Sequence, residues 1–346
     1  MKEKKNHPLL FIFSLTAILA VSIIVAISTG YGPWAGLTDT FRMFTHFLTG
    51  TPMTARDNIL QSVFVNLRMP RVILEICVGI NLSIAGVLLQ ALFRNPLAEP
   101  YSVGVSSGAA LGAVIAVSIG FRESIVGIGL QGFFAFGGAL AITFLVYVIA
   151  RQNGVVLTTK LLLTGLAVAA VIQAVTTLML LQFEFIRLRS VLAWTLGSFS
   201  NKGWSHVITI VPFTFIGLVL CSFLAKPLNI LCLGEEKAKS LGLNVEKFKL
   251  SIFVISSLLT GTAVAVSGII AFVGLVVPHI MRVILGPDHK YLIPASALGG
   301  ALLVVYADLI VRILSKSQEI PIGVVTSVFG GIIFIQLLKN TQKGIS

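Results

Sequence analysis

The chain has 346 residues, of which 56% are hydrophobic and only 11% charged, and its formal net charge is +12 at pH 7. Soluble domains carry roughly 25% charged residues, so this composition excludes a water-soluble globular enzyme, and its hydrophobicity excludes a disordered chain. The positive balance is a topological signal rather than a nucleic-acid one, because Lys and Arg accumulate in the cytoplasmic loops of membrane proteins and no basic stripe with interleaved aromatics occurs here.

In chain order, Lys2, Lys4 and Lys5 precede an apolar run at 9–28. That run is longer than the roughly 7–15-residue core of a cleaved signal, so it predicts an uncleaved first span. A long outer connection, 29–66, follows. Further spans are predicted at 67–90, 102–120, 126–150, 160–182, 205–225, 250–267, 291–314 and 321–338, with a short piece at 269–282 that is too short to cross alone. The chain therefore reads as an all-α polytopic membrane protein with about ten transmembrane helices of about 20 residues each, in a single domain over residues 1–346. The stretch 187–204 predicts a short interfacial helix on the outer side, and 227–249 is the largest cytoplasmic segment. Threading from a cytoplasmic N-terminus brings the C-terminus back to the same side. It leaves mostly Arg outside, a residue suited to fixed ion pairs and recognition.

Catalytic and metal motifs are missing. Without a Gly-rich phosphate loop the chain is expected not to hydrolyse ATP itself. The five His are scattered, Cys77, Cys221 and Cys232 have no ligand spacing, and no metal site or catalytic residue is expected. Six features remain. Arg68 and Arg71 lie on one helical face at an outer edge, either as recognition residues or as snorkelling anchors, with Pro70 suited to a first helical turn. A compact turn, 90–100, is set by Pro96 and Pro100. Gly234 and Gly242 frame about two turns of helix with Glu235 and Glu236 at its N-terminal end, as the helix dipole favours, and Leu233, Ala238 and Leu241 predict one apolar side for a docking partner or for lipid headgroups. Asp308 and Arg312, four apart in a span, suit an ion pair. Gln173, Thr176 and Thr177 in the fifth span either line a pathway or bond within the bundle. The small residues of 104–112, with Gly137, Gly138, Gly299 and Gly300, predict close helix contact.

Taken in order, Arg68-Met69-Pro70-Arg71, Ala85-Gly86-Val87-Leu88-Leu89-Gln90, Arg94-Asn95-Pro96-Leu97-Ala98-Glu99-Pro100 and Val103-Gly104-Val105-Ser106-Ser107-Gly108-Ala109 closely resemble the FecCD family. So do Leu233-Gly234-Glu235-Glu236 with Ser240-Leu241-Gly242, Phe272-Val273-Gly274-Leu275-Val276-Val277-Pro278-His279, and Glu319-Ile320-Pro321-Ile322-Gly323. The resemblance runs from about residue 60 to the C-terminus, with Met69 where Leu is usual. These are permease subunits of type II ABC importers, with a fold like the vitamin B12 importer permease, for iron–siderophores, haem and cobalamin.

The resemblance implies a site in the bacterial cytoplasmic (inner) membrane, with both termini cytoplasmic. It implies a second permease subunit (identical or a close paralogue), two ATP-binding subunits, an extracytoplasmic substrate-binding protein and surrounding lipid as partners. No nucleic acid is implied, nor any cofactor on this chain, since ATP is used by the partner subunit. It makes Gly234, Glu235, Glu236, Ala238, Ser240, Leu241 and Gly242, within about 228–249, the ATPase coupling segment. Arg68, Arg71 and Arg312 become docking residues for the binding protein, and Gln173, Thr176 and Thr177 pathway residues. An iron–siderophore complex is the expected cargo, with haem or cobalamin as alternatives. An ion-coupled secondary transporter would need intramembrane acids, and only Glu75 and Asp308 come near a span interior.

Overall fold

In this computed structural model the described residues are 7–29, 36, 39–40, 42, 45, 55–120, 124–125, 128–315 and 320–342. The lysines at 2, 4 and 5, most of the long outer connection, and Glu319 of the last motif lie outside them. Among the described residues seven helices are long and apolar enough to cross a membrane. They are α1 (Pro8–Ser28), a helix ending in α3 (Met69–Phe93), α5 (Leu130–Ala150), α6 (Thr158–Leu180), α8 (Trp204–Cys232), α10 (Val245–Ser267) and α12 (His289–Leu314). Three shorter apolar stretches, α4 (Val105–Ile119), α11 (Val273–Leu285) and Ile322–Gln336 of α13 (Ile322–Gln342), complete the expected set. Between them lie α2 (Ala55–Val63), α7 (Phe185–Thr195), where the sequence predicted a short helix, and α9 (Glu235–Ser240).

Several helices outrun their apolar stretch. α10 starts at Val245 because Asn244 caps it, its side-chain oxygen accepting the Lys247 N–H at 3.2 Å. Residues 151–156, between two predicted spans, form a hairpin of β3 (Arg151–Gln152) and β4 (Val155–Val156). Asn153 and Gly154 make its two-residue turn, both at positive φ, the signature of a type I′ turn. A second small hairpin pairs β1 (Ser124–Ile125) with β2 (Ile128–Gly129).

The core sits around α3, whose most apolar window is 83% buried, with α10 at 72% and α12 at 67%; α6, at 17%, lies on the periphery. Hydrophobicity cannot drive helices together in lipid, so close backbone packing must. Glycine supplies it. A Cβ at Gly79 would run into the Gly300 carbonyl of α12, one at Gly86 into the Gly274 carbonyl of α11, and one at Gly108 into the Gly138 carbonyl of α5. Gly137 faces open space, so its neighbour alone makes that contact.

The break between α10 and α11 lies inside the protein, and every backbone group there needs a partner. The Tyr101 hydroxyl donates to the Ile270 carbonyl at 3.1 Å and accepts the Ile270 N–H at 3.2 Å. Glu99 Oε1 accepts the N–H of Phe272 at 3.0 Å, where the chain turns at φ +68. Burial pushes the Glu99 carboxyl above its usual range, against the pull of that N–H. Ser198 N–H bonds the Ser267 carbonyl at 2.8 Å, and the N–H groups of Ile322 and Gly323 bond Gly197 and Leu196, which seats the start of α13 on the exit of α7.

Replacing Gly86 by Leu should separate α3 from α11. Overpacking of this kind costs about 1–3 kcal/mol or more. A clear fall in the unfolding midpoint of the detergent-solubilised protein is expected, with Gly137→Leu as the control that leaves it unchanged.

Candidate functional site

At the end of the bundle opposite α9, α2 runs into α3 through a π turn, Phe64–Arg68. The turn lies just ahead of Pro70, which sits in the first turn of α3 as the sequence suggested. In the wider register the carbonyl of Val65 would accept from residue 70, but proline has no N–H. The indole Nε1 of Trp204 fills the vacancy at 2.9 Å.

The π turn aims Arg68 and Arg71 at different targets. Arg71 makes a two-point ion pair with Asp308, Nε to Oδ2 at 2.9 Å and NH2 to Oδ1 at 2.8 Å, and lies 3.6 Å from Glu75. Arg312 approaches Glu75 at 3.2 Å and Asp308 at 2.8 Å. The expected Asp308–Arg312 pair is thus present, inside a four-member cluster. Both acids are fully buried. The guanidiniums also close the end of α1, which leaves carbonyls without helical partners. Arg312 NH1 donates to Ala26 at 2.7 Å and Thr29 at 2.9 Å, and Arg68 NH1 to Ile27 at 2.9 Å and Ser28 at 3.3 Å. Arg68 and Arg312 are therefore buried, not the exposed surface arginines that the sequence suggested.

All three arginines nevertheless border one cavity of about 510 Å³, shared with Asn66, Ser200, Asn201 and Lys202. Sequence reasoning missed Lys202. Burial lowers its ammonium below the usual lysine range, and no carboxylate pairs with it among the described residues. Its signal was weak, a lone cation in the polar stretch between α7 and α8.

The other end gathers the turn after α3, α9, the β3–β4 hairpin and the loop before α12. Gly234 (φ +111) and Gly242 (φ +83) bound α9 as expected. The exit is a Schellman turn, Leu243 N–H to the Ala238 carbonyl and Gly242 N–H to that of Lys239, both at 3.0 Å. The predicted single apolar side is not what forms. Ala238 is fully buried against the bundle, whereas Leu233 and Leu241 are 58% and 61% exposed. Glu235 turns inward to Lys249 at 2.8 Å, and Glu236 and Ser240 are exposed. Arg94, at φ +48, ends α3 beside Gly234. Asn229 holds the loop before α12, donating to Asp288 at 2.8 Å and accepting the His289 N–H at 3.0 Å. The Lys290 N–H and the Asn229 amide hold the Asp288 carboxylate below its usual range.

On α6, Gln173 and Thr177 are exposed four residues apart, so they share a face. Thr176 is buried and bonds back to Ile172 at 2.7 Å. Among the described residues, His, Cys, Asp and Glu do not gather in threes around any point.

The sequence model of the FecCD transport family matches residues 18–340. The ABC transporter permease protein YvrB of Bacillus subtilis is 40% identical over 95% of this chain and 93% of its own length. The cobalamin import system permease protein BtuC of Halobacterium salinarum is 38% identical over 92% and 82%. A solved structure described as an inward-facing conformation of a metal-chelate type ABC transporter superposes with a TM-score of 0.80 at 28% identity, covering 95% of this chain and 98% of that one. The chain belongs to the FecCD transport family and is a multi-pass membrane permease of the ABC importer class.

Breaking the charge cluster leaves buried charge without a partner, which costs about 3–5 kcal/mol. Asp308→Asn should therefore lower the unfolding midpoint in detergent, and Arg71→Gln with Asp308→Asn should lose less than the two single losses together. Strictly additive, small losses would mean that water already reaches the cluster.

Proposed function

We propose that this chain is the membrane-spanning permease subunit that moves an iron–siderophore complex across a bacterial cytoplasmic membrane. In this reading a second permease subunit completes the pathway, two ATP-binding subunits drive it, and an extracytoplasmic binding protein delivers the cargo. ATP is bound and hydrolysed by the partners, so this chain carries no cofactor, and both its termini lie on the cytoplasmic side.

The observation that carries the reading is α9. Its inward side is used up by Ala238 and by the Glu235–Lys249 pair, while Leu233 and Leu241 stand exposed at its two ends, beside glycine turns that fix its direction. An apolar pair on a short, charged segment suits the groove of a protein partner better than the hydrated face of a bundle. Gly234 through Gly242 is accordingly the coupling segment, with Glu235 as its internal anchor rather than a residue offered to the partner.

Delivery falls to the opposite end. Arg71 and Arg312 are matched by Asp308 and Glu75, so the uncompensated charge of the cavity comes from Arg68 and Lys202. An acidic residue of the binding protein is the complement, and Arg68, Arg71 and Arg312 shape the docking cavity together. Gln173 and Thr177 are the pathway residues on α6, with Thr176 positioning that face through its bond to Ile172. The solved relative, a metal-chelate type transporter, supports a chelate cargo. The Halobacterium relative named for cobalamin makes cobalamin, itself a cobalt chelate, the competing cargo, with haem next.

Proteoliposomes holding the complex of this chain with its ATP-binding subunits and cognate binding protein should take up a radiolabelled ferric siderophore, unimpeded by excess cobalamin or haem. Uptake of cobalamin or haem alone would overturn the cargo. In the same vesicles Leu241→Asp should reduce uptake roughly tenfold while the permease folds normally, because a charge pressed into an apolar groove is unfavourable. Wild-type uptake and co-purification of the ATP-binding subunits would remove α9 from the interface. Lys202→Glu should slow association of the binding protein, and the effect should shrink with salt, since the attraction that steers approach through solvent is screened over about 8 Å at physiological ionic strength. Association equal to wild type at low salt would take Lys202 out of the docking cavity.

A further inference from the structure

α9, the β3–β4 hairpin and the first turn of α10 are separate in sequence, yet one ammonium joins all three. Lys249 Nζ donates to Glu235 Oε2 at 2.8 Å, to the Val156 carbonyl at 2.9 Å and to Glu246 Oε1 at 3.2 Å. A lysine has three protons to give, so this set is complete. Glu246 uses its other oxygen to accept the Val156 N–H at 2.9 Å. Both backbone polar groups of Val156 are thereby held by the Lys249–Glu246 pair. The Lys249 side chain is only 3% exposed, so water competes little for these bonds.

The placement of this node matters more than its strength, since an apolar side chain can stabilise a buried position equally well. α9 joins α8 and α10 through two glycines, both at positive φ. Such turns fix a path but give little resistance to pivoting. The Glu235–Lys249 bond braces the first residue of α9 against α10. From the same ammonium the bond to Val156 reaches the hairpin strand that ends two residues before α6 begins at Thr158. α6 is the least buried of the long helices and exposes Gln173 and Thr177. A push on α9 therefore reaches the start of α6 through two hydrogen bonds and a short strand, without passing through the glycine-locked core.

We infer that Lys249 is a positioning residue that conveys displacement of α9 to α6 by way of the β3–β4 hairpin. The inference rests on the reading of α9 as the contact for the ATP-binding subunit. It adds the route by which that contact reaches the helix bearing the proposed pathway residues.

The test uses the full complex with Cys232→Ser, since Cys232 is exposed, and spin labels at Thr159→Cys on α6 and Lys290→Cys on the α12 end. In the parent the distance between the labels should shift when ATP binds. With Lys249→Met, which keeps the length of the side chain and removes its protons, the ATP-binding subunits should still co-purify and hydrolyse ATP. The shift should disappear, and cargo moved per ATP should fall roughly tenfold, the size of an ordinary site-to-site coupling. Lys249→Arg, which retains donors, should restore much of both. If Lys249→Met lowers only the unfolding midpoint and leaves the shift and the transport ratio at parent values, Lys249 is a packing tie and the inference is wrong. If Lys249→Met does not fold, Glu235→Ala cuts the bond between α9 and Lys249 and should abolish the same shift; a normal shift there overturns the inference. Failure of the parent to retain its ATP-binding subunits while still transporting cargo would instead overturn the reading of α9.

Discussion

A polar group shielded from water must find its partner inside the protein, and the end of α1 shows how much structure follows from that one requirement. A helix terminus leaves carbonyls without donors. Here Arg68 and Arg312 supply them from two other helices, reaching Ala26, Ile27, Ser28 and Thr29. The arginine that also enters the core needs counter-charge, which Glu75 and Asp308 provide. Those acids, being fully buried, in turn hold Arg71. One frayed helix end thus becomes a network that joins α1, α3 and α12. At the other end of the bundle Lys249 meets the same requirement with Glu235, Glu246 and a backbone carbonyl.

Much of this arrangement is legible in the sequence, and the limits have physical causes. Hydropathy finds the spans because a helix in lipid must be apolar for its whole crossing, and it marks α11 as short for the same reason. Gly234 and Gly242 announce α9 because turns at positive φ select glycine. The Asp308–Arg312 pair is readable from its spacing of four. The partner of Arg71 is not, because Asp308 lies 237 residues away and no local period encodes that contact. The side of α9 that faces inward is equally hidden. A six-residue helix has too few positions for its own periodicity to decide, and Lys249, fixed on α10, draws Glu235 in and leaves Leu241 out. The β3–β4 hairpin is a different case, since Asn153-Gly154 is a strong turn signal that the surrounding apolar spans obscured. The π turn is visible only once Pro70 and Trp204 are seen together.

Burial changes what the arginines can do. A guanidinium in a two-point ion pair has little charge left to offer a partner, because its field is cancelled within a few ångströms. Arg71 is in that position with Asp308, and Arg312, close to both Glu75 and Asp308, is compensated as well. Arg68 is different, since backbone carbonyls satisfy its protons without neutralising its charge, and Lys202 has neither carboxylate nor full hydration. The cavity they share is therefore electropositive although two of its three arginines are spoken for. The polar set that shapes the cavity and the charges that give it a sign are largely different residues, so substitutions in the first group act on folding and those in the second on association.

The distribution of rigidity follows from the same packing. α3 meets α11 and α12 backbone to backbone at Gly86–Gly274 and Gly79–Gly300, contacts with no side chain to yield. Close-packed interfaces of this kind do not deform gradually; they hold or they break. α6 lies outside that lock, with most of its surface exposed; Gly165 packs it on the Ser102 carbonyl, and its first turn is tied to α10 through the hairpin. A change that has to alter the path across the membrane without dismantling the fold is therefore accommodated more easily at α6 than at α3, α10 or α12. An alternation between two states requires only that the ties at the start of α6 have two comparably good arrangements, whereas the glycine contacts of the core permit one.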